Sequence, residues 1–252
     1  MAKPPPLVLA FAASDPTGGA GVQADLLTLA ARGCHPLSVV TAITVQDTRG
    51  VERMQPLDAA LVADQARCLL ADVQVAAFKV GVLGSAQNAL AVAQAIAAQP
   101  SRPLVVDPVL ASGRGDPLAG EDVVASMKER LLPLAAVATP NTPEAARLGG
   151  VSAILATGCR YVLLTGTHDD STEVINRLYD ARGLVREDRW HRLAGSYHGS
   201  GCTLAAALAA ALAKGLAMPE AVRDAQDFTW HALAAGFRPG SGQFIPQRFF
   251  PS

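Results

Sequence analysis

Short runs of unbroken hydrophobic residues alternate along this chain with longer stretches in which such residues recur every three or four positions. The runs at 7–13 (LVLAFAA), 37–45 (LSVVTAITV), 76–82 (AAFKVGV), 103–107 (PLVVD), 135–139 (AAVAT) and 161–166 (YVLLTG) predict strands. Their apolar character is continuous rather than alternating, as in a parallel sheet covered on both faces. Between them, 19–32, 57–71, 86–98, 121–131 and 142–149 predict helices; in the first, Val22, Leu26, Leu29 and Ala30 form one stripe. This βαβα order predicts a layered α/β domain with right-handed crossovers. After Gly166 the pattern changes. Residues 173–193 predict an antiparallel hairpin turning near Asp180–Gly183. Two helices follow. Leu204, Leu208 and Leu212 line the first, Lys214 and Gly215 end it, and Pro219 and Glu220 suit the first turn of the second.

In open parallel sheets, ligands bind beyond the carboxyl ends of the strands. The first predicted strand leads into Ser14-Asp15-Pro16-Thr17-Gly18-Gly19-Ala20-Gly21, and the second into Gln46-Asp47-Thr48. The third ends at Gly81 and the fourth at Asp107-Pro108. The fifth gives Thr139-Pro140-Asn141-Thr142-Pro143-Glu144, and the sixth Thr165-Gly166-Thr167. A site along this edge is therefore expected. The glycines at 18, 19 and 21 allow a ligand close to the backbone at a helix start. They do not form GxGxxG, and no GxxxxGK[ST] occurs in the chain, so the dinucleotide-fold and P-loop signatures are both missing. Asp25 falls on or beside the buried stripe, either compensating the helix start or binding a polar group of a substrate. Asp107 and Glu144, each just past a different strand, could hold Mg²⁺ partly through water; Glu144 could equally compensate a helix N-terminus. In the stretch HGSGC (198–202), Gly199 and Gly201 free the backbone, so that the amides of residues 200–203 can converge on one anion, with Ser200 a fair N-cap. Phosphate donors, acidic residues for a metal and a group near an acceptor hydroxyl are the parts of a phosphoryl-transfer site.

Composition narrows this further. The 252 residues are 50% hydrophobic and 17% charged, with a net charge of −1 and both signs scattered, so no basic patch points to nucleic acid or to an anionic membrane. The apolar run Leu204–Ala213 is far short of the ~20 residues that span a bilayer. The run Leu7–Ala13 reads as a buried first strand rather than the apolar part of a secretion signal. Cys34, Cys68, Cys159 and Cys202 form no CxxC pair, which disfavours a zinc or redox site and suits a reducing, cytoplasmic setting.

The segments SDPTGGAGVQADLLT (14–28), VTAITVQDTRGV (40–51), KVGVL (79–83), VVDPVLASGRGDPL (105–118), TPNTPEA (139–145) and HGSGCTLAAALA (198–209) resemble the hydroxymethylpyrimidine kinase / phosphomethylpyrimidine kinase family of the ribokinase-like superfamily, in order over nearly the whole chain. The resemblance implies one ribokinase-like domain over 1–252: three α/β/α layers around a mostly parallel sheet, assembled as a homodimer. It implies an ATP- and Mg²⁺-dependent enzyme of thiamine biosynthesis. Such an enzyme phosphorylates 4-amino-5-hydroxymethyl-2-methylpyrimidine and then its monophosphate. By the same resemblance, Gln46 hydrogen-bonds the pyrimidine, Asp25 contacts its polar substituents, and Ala13, Ala20, Thr44 and Val82 form the pocket wall. Asp107 and Glu144 organise Mg²⁺ and phosphates; Asn141, Thr165 and Gly166 meet the nucleotide; Gly199, Ser200, Gly201 and Cys202 form the anion hole. Cys202 stands where most of the superfamily carries an aspartate base, and a base or positioning role is expected, its thiolate favoured by the helix N-terminus.

The chain departs from the family pattern in four places: Ala13-Ser14 replace Gly-Thr, Asp47 a frequent asparagine, Thr165 a frequent lysine, and 148–159 is short. Two rival functions follow from the same residues. One is pyridoxal kinase activity, against which Gln46 speaks, because an amide complements an aminopyrimidine. The other is a non-catalytic pyrimidine binder, which would have no use for Asp107, Glu144 and the GSGC segment together.

Overall fold

A computed structural model describes residues 4–112, 115, 118–167 and 171–250. Six strands run parallel: β1 (Leu7–Ser14), β2 (His35–Gln46), β4 (Ala77–Val80), β5 (Leu104–Val106), β6 (Val137–Ala138) and β7 (Val162–Leu164). They are extended by β3 (Val51–Pro56) at one edge and the hairpin β8 (Glu173–Asp180) with β9 (Gly183–His191) at the other, all antiparallel. The order is β3-β2-β1-β4-β5-β6-β7-β8-β9. The hairpin and the six core strands fall where the hydrophobic pattern places them. β3 is an addition: VERMQP sets Val51 and Met54 among polar residues and has no fully buried position, as an edge strand can, so it lacks the unbroken apolar signal of its neighbours.

Helices cover both faces, giving the expected three layers. On one face α1 (Gly21–Ala31), α7 (Ser200–Ala213) and α8 (Met218–Ala234) pack through Leu29, Leu208, Val222 and Phe228. On the other lie α2 (Ala59–Asp72), α3 (Ala86–Ala97), α4 (Glu121–Ser126), α5 (Thr142–Arg147) and α6 (Val151–Ala156), whose core includes Val62, Val92, Val123, Leu148 and Ile154. The predicted helix 121–131 loosens midway: after α4 a wide π turn, Met127–Leu131, leads into a 3-10 turn containing Pro133. The short segment 148–159 still accommodates the six-residue α6. α7 is buried over almost its whole length, from Cys202 to Ala211, which is why its sequence is hydrophobic on every side. No helix among the described residues is long and apolar enough to cross a membrane.

Candidate active site

A cleft of about 470 Å³ lies beyond the carboxyl ends of the parallel strands. It is lined by Asp15 after β1, Gln46 at the end of β2, Val82 after β4, Asp107 after β5, Asn141 after β6 and Thr165 after β7. The start of α7 closes it through Gly199, Ser200, Gly201 and Cys202. Ala13, Ala20 and Thr44 also reach its wall, and the Thr44 hydroxyl donates to the Ser14 carbonyl at 2.9 Å. Parts of the 105–118 motif, residues 113, 114, 116 and 117, lie outside the described residues.

The N-cap of α7 is Gly199, in the left-handed region at φ 82°, and not Ser200, which is the first helical residue. The Thr203 amide donates to the Gly199 carbonyl at 2.9 Å. The anion-facing set is therefore the amides of Ser200, Gly201 and Cys202, one fewer than the sequence suggests. Gly199 is required sterically as well, since a Cβ there would lie 1.9 Å from the Gly19 carbonyl oxygen. The start of α7 thus rests directly on the 15–21 loop. Arg248, from the end of the chain, ties the same two parts together by donating to the carbonyls of Gly18 and Gly19 and to the Thr203 hydroxyl.

Asp107 faces this helix start. Its two carboxylate oxygens lie 3.8 and 3.9 Å from where a Gly201 side chain would begin. Thr139 donates to Oδ1 at 3.4 Å, while the buried Oδ2 has no hydrogen-bond partner. Burial raises the Asp107 carboxyl above its ordinary value, with Lys79 pulling it back. Glu144 forms a capping box with Asn141, each side chain accepting from the other's amide at 2.9 Å, so its helix-starting role is realised. It also lies in the cleft, where burial and then Asp107 push its carboxyl up to about 8, against the Asn141 and Leu110 amides. An orphaned carboxylate oxygen close enough to a second carboxyl to raise its pKa fits Mg²⁺, which keeps much of its water and takes few protein ligands.

The Glu144 shift carries a sign for stability. A carboxyl whose folded pKa rises from 4.5 to about 8 contributes stability that is complete below pH 4.5 and lost as the pH climbs through 8. Metal-free protein is expected to lose a few kcal/mol of stability between about pH 5 and pH 9 from this group. Glu144→Gln should flatten that part of the profile in chemical denaturation. An unchanged slope in the variant would assign the pH dependence elsewhere.

Cys202 does not carry the thiolate expected of a helix N-terminus. Burial pushes its thiol up to about 12, with Lys79 opposing and Asp107 and Asp25 reinforcing. Desolvation outweighs the helix dipole because the sulfur is packed into the protein rather than facing water. Asp25 is likewise displaced from its expected role. It lies beyond the first turn of α1, does not line the cleft, and is completely buried with both carboxylate oxygens 2.9 Å from the Lys79 ammonium. Gly166 also leaves the set, its amide spent on Asn176 Oδ1 at 3.1 Å.

Several cleft residues were not singled out from the sequence. His198, just before the anion hole, lies 2.8 Å from Asp15 and 3.1 Å from Gln46. Burial works against the charge of Asp15, but His198 and the amides of Ala20 and Thr17 bring its pKa down to about 2. At the far end of the cleft, Trp190 and Asn176 both donate to Gln226, which donates to Asp188; Thr229, Trp230 and Leu233 complete that wall.

This fold, with an amide-lined helix start facing a buried carboxylate across a small-molecule cleft, defines a ribokinase-like kinase. The family description phosphomethylpyrimidine kinase matches residues 15–247, and the chain belongs to that family. It is 42% identical to the hydroxymethylpyrimidine/phosphomethylpyrimidine kinase of Streptomyces coelicolor, over 94% of this chain and 92% of that one. Among solved structures it resembles Staphylococcus aureus pyridoxal kinase in complex with AMP-PCP and pyridoxal, with a TM-score of 0.88, 28% identity, and coverage of 97% and 94%. It also resembles the phosphomethylpyrimidine kinase of Clostridium difficile 630, with a TM-score of 0.76, 32% identity, and coverage of 92% and 100%.

Proposed function

We propose that this chain transfers the γ-phosphoryl group of ATP to the hydroxymethyl oxygen of 4-amino-5-hydroxymethyl-2-methylpyrimidine, and then phosphorylates the monophosphate to the diphosphate, as one kinase domain in a cytoplasmic homodimer. The observation that carries this reading is the common cleft, which holds Gln46 against His198 and, directly after it in the chain, the Ser200–Cys202 amides facing Asp107. Gln46 offers an amide to the ring nitrogen and exocyclic amine of an aminopyrimidine. The three amides, at the positive end of α7, meet the negative charge that spreads over the transferring phosphoryl group. Asp107 and Glu144 would hold Mg²⁺, which neutralises phosphate charge when bound. The wall around Thr165, Trp190 and Trp230 leaves room for the nucleotide. A loose phosphoryl-transfer transition state asks little of a base. Cys202, a neutral thiol beside the amides, therefore acts by positioning the acceptor hydroxyl. The four free cysteines fit a reducing compartment.

The test is ATP-dependent phosphorylation of the pyrimidine, its monophosphate and pyridoxal, compared by kcat/KM. The pyrimidine pair should be preferred. Pyridoxal preference would favour the second reading, which the likeness to a pyridoxal-bound kinase keeps alive. Cys202→Ala should lower kcat by roughly tenfold or more while KM for the pyrimidine moves little, and without the steep loss at acid pH that an essential thiolate would impose. An unchanged kcat would remove the positioning role.

A further inference from the structure

We propose that His198 fixes the amide orientation of Gln46 and thereby makes the acceptor site select an amino over an oxo substituent on the ring. The inference rests on the pyrimidine reading above and follows from counting donors. The Asp15 carboxylate already accepts from the Thr17 amide at 2.8 Å, the Ala20 amide at 2.7 Å and the Thr17 hydroxyl at 2.9 Å. It is an acceptor only, so the His198 Nε2 that lies 2.8 Å from Oδ2 must carry a hydrogen and donate it. A ring nitrogen that donates has no lone pair left to accept. The structure sets the Gln46 amide nitrogen 3.1 Å from the same Nε2, a donor facing a donor; turning the amide over exchanges it for the oxygen, Oε1, which is the only amide atom that can accept there. One hydrogen on His198 is then shared between Asp15 and Gln46, and the amide cannot turn back without setting two N–H groups against each other.

The surroundings are built to hold the ring in place. A Cβ at Gly19 would lie 2.5 Å from His198 Cδ2, so the glycine loop admits the imidazole at that point. The His198 backbone amide donates to the Phe244 carbonyl at 2.8 Å. The ring is only 14% exposed and its carboxylate partner 4%, so water competes weakly for the shared hydrogen.

With Oε1 held toward His198, Gln46 presents an acceptor on that side and an NH₂ donor on the other. A 4-aminopyrimidine supplies the complement, an amine donor beside a ring-nitrogen acceptor. The 4-oxo analogue reverses both, and only the opposite amide orientation would match it. Freeing the amide should therefore relax the choice between the two.

The experiment measures kcat/KM for 4-amino-5-hydroxymethyl-2-methylpyrimidine and for its 4-oxo counterpart in the full chain, His198→Leu and His198→Gln. The unaltered enzyme should prefer the amino compound. His198→Leu should shrink the preference by roughly tenfold or more and raise KM for the amino compound. His198→Gln, which keeps an N–H donor of similar reach, should retain most of it. An undiminished preference in His198→Leu overturns the proposal. If the unaltered enzyme phosphorylates neither compound, the pyrimidine reading fails instead. Nitrogen-15 NMR of the unaltered protein decides the proton placement separately, and also if a variant does not fold: a protonated His198 Nε2 is expected, and a bare one refutes the mechanism.

Discussion

Gly199→Ala is expected to lower the melting temperature by about 10 °C and to cut kcat by on the order of 100-fold. Two effects add. Left-handed backbone at φ 82° disfavours an alanine by roughly 1–2 kcal/mol. A Cβ at Gly199 would also sit 1.9 Å from the Gly19 carbonyl oxygen, which is backbone and cannot swing aside like a side-chain tip. Relief requires the 15–21 loop and the start of α7 to part, a packing loss of about 1–3 kcal/mol. Together, at about 2–4 °C per kcal/mol for a chain of this size, they give the stated shift. The loop and the helix start are the two walls of the phosphoryl end of the cleft, and losing one well-placed oxyanion donor alone lowers turnover by about 10²–10³. Gly201→Ala is the internal comparison. Its Cβ would meet only the Asp107 oxygens, at 3.8 and 3.9 Å, so it should fold normally while placing a methyl group against that carboxylate. Thermal denaturation with steady-state kinetics separates the two variants. Equal stability of both would show that the glycine is not needed where the geometry requires it.

The start of α7 is legible in the sequence because its signal is local. HGSGC carries its chemistry in backbone amides, and glycines before an apolar helix announce that without reference to the rest of the chain. Asp107, Asn141 and Glu144 were equally legible because each follows an unbroken apolar strand, and the topology brings such strand ends to one edge. What depended on long-range pairing was hidden. His198 and Asp15 meet across 183 residues, Arg248 and Gly19 across 229, and nothing near either member of a pair signals the other. The same limit applies to the surroundings of Asp25 and the ionisation of Cys202. Helix geometry alone leaves Asp25 free to compensate a terminus or bind a ligand, and leaves Cys202 free to ionise. Burial decides both, and burial is a property of the assembled layers. One clue was available: Lys79 interrupts the otherwise apolar run AAFKVGV, and a lysine in a strand covered on both faces demands a buried anion.

That pair gives the second large effect. Lys79→Met should destabilise the protein by about 3–5 kcal/mol, because it leaves the Asp25 carboxylate buried without its partner. Both residues are completely inaccessible, and the ammonium is within 2.9 Å of both oxygens. Burial works against the charge on Lys79, but Asp25, with help from Cys202 and Asp107, holds the ammonium well above the ordinary lysine range. On the other side, burial pushes Asp25 up to about 6 even with Lys79 opposing it, so without the lysine the carboxyl rises further and protonates more readily. A carboxyl with a raised folded pKa contributes stability at low pH and loses it as the pH rises. The penalty of Lys79→Met should therefore be smaller near pH 5 than near pH 8. Asp25→Leu combined with Lys79→Met should recover most of the loss, since a buried ion pair exchanged whole for apolar groups is often close to neutral. Urea denaturation of the parent, Lys79→Met, Asp25→Leu and the double variant at two pH values measures all of this. A single variant as stable as the parent, or a double variant no better than Lys79→Met, would show that the pair is not held as a charged unit. The consequence for the site follows from the same charges. Lys79 pulls down the pKa of Asp107, so the repaired double variant should fold yet bind and process its substrates with that carboxyl more strongly protonated.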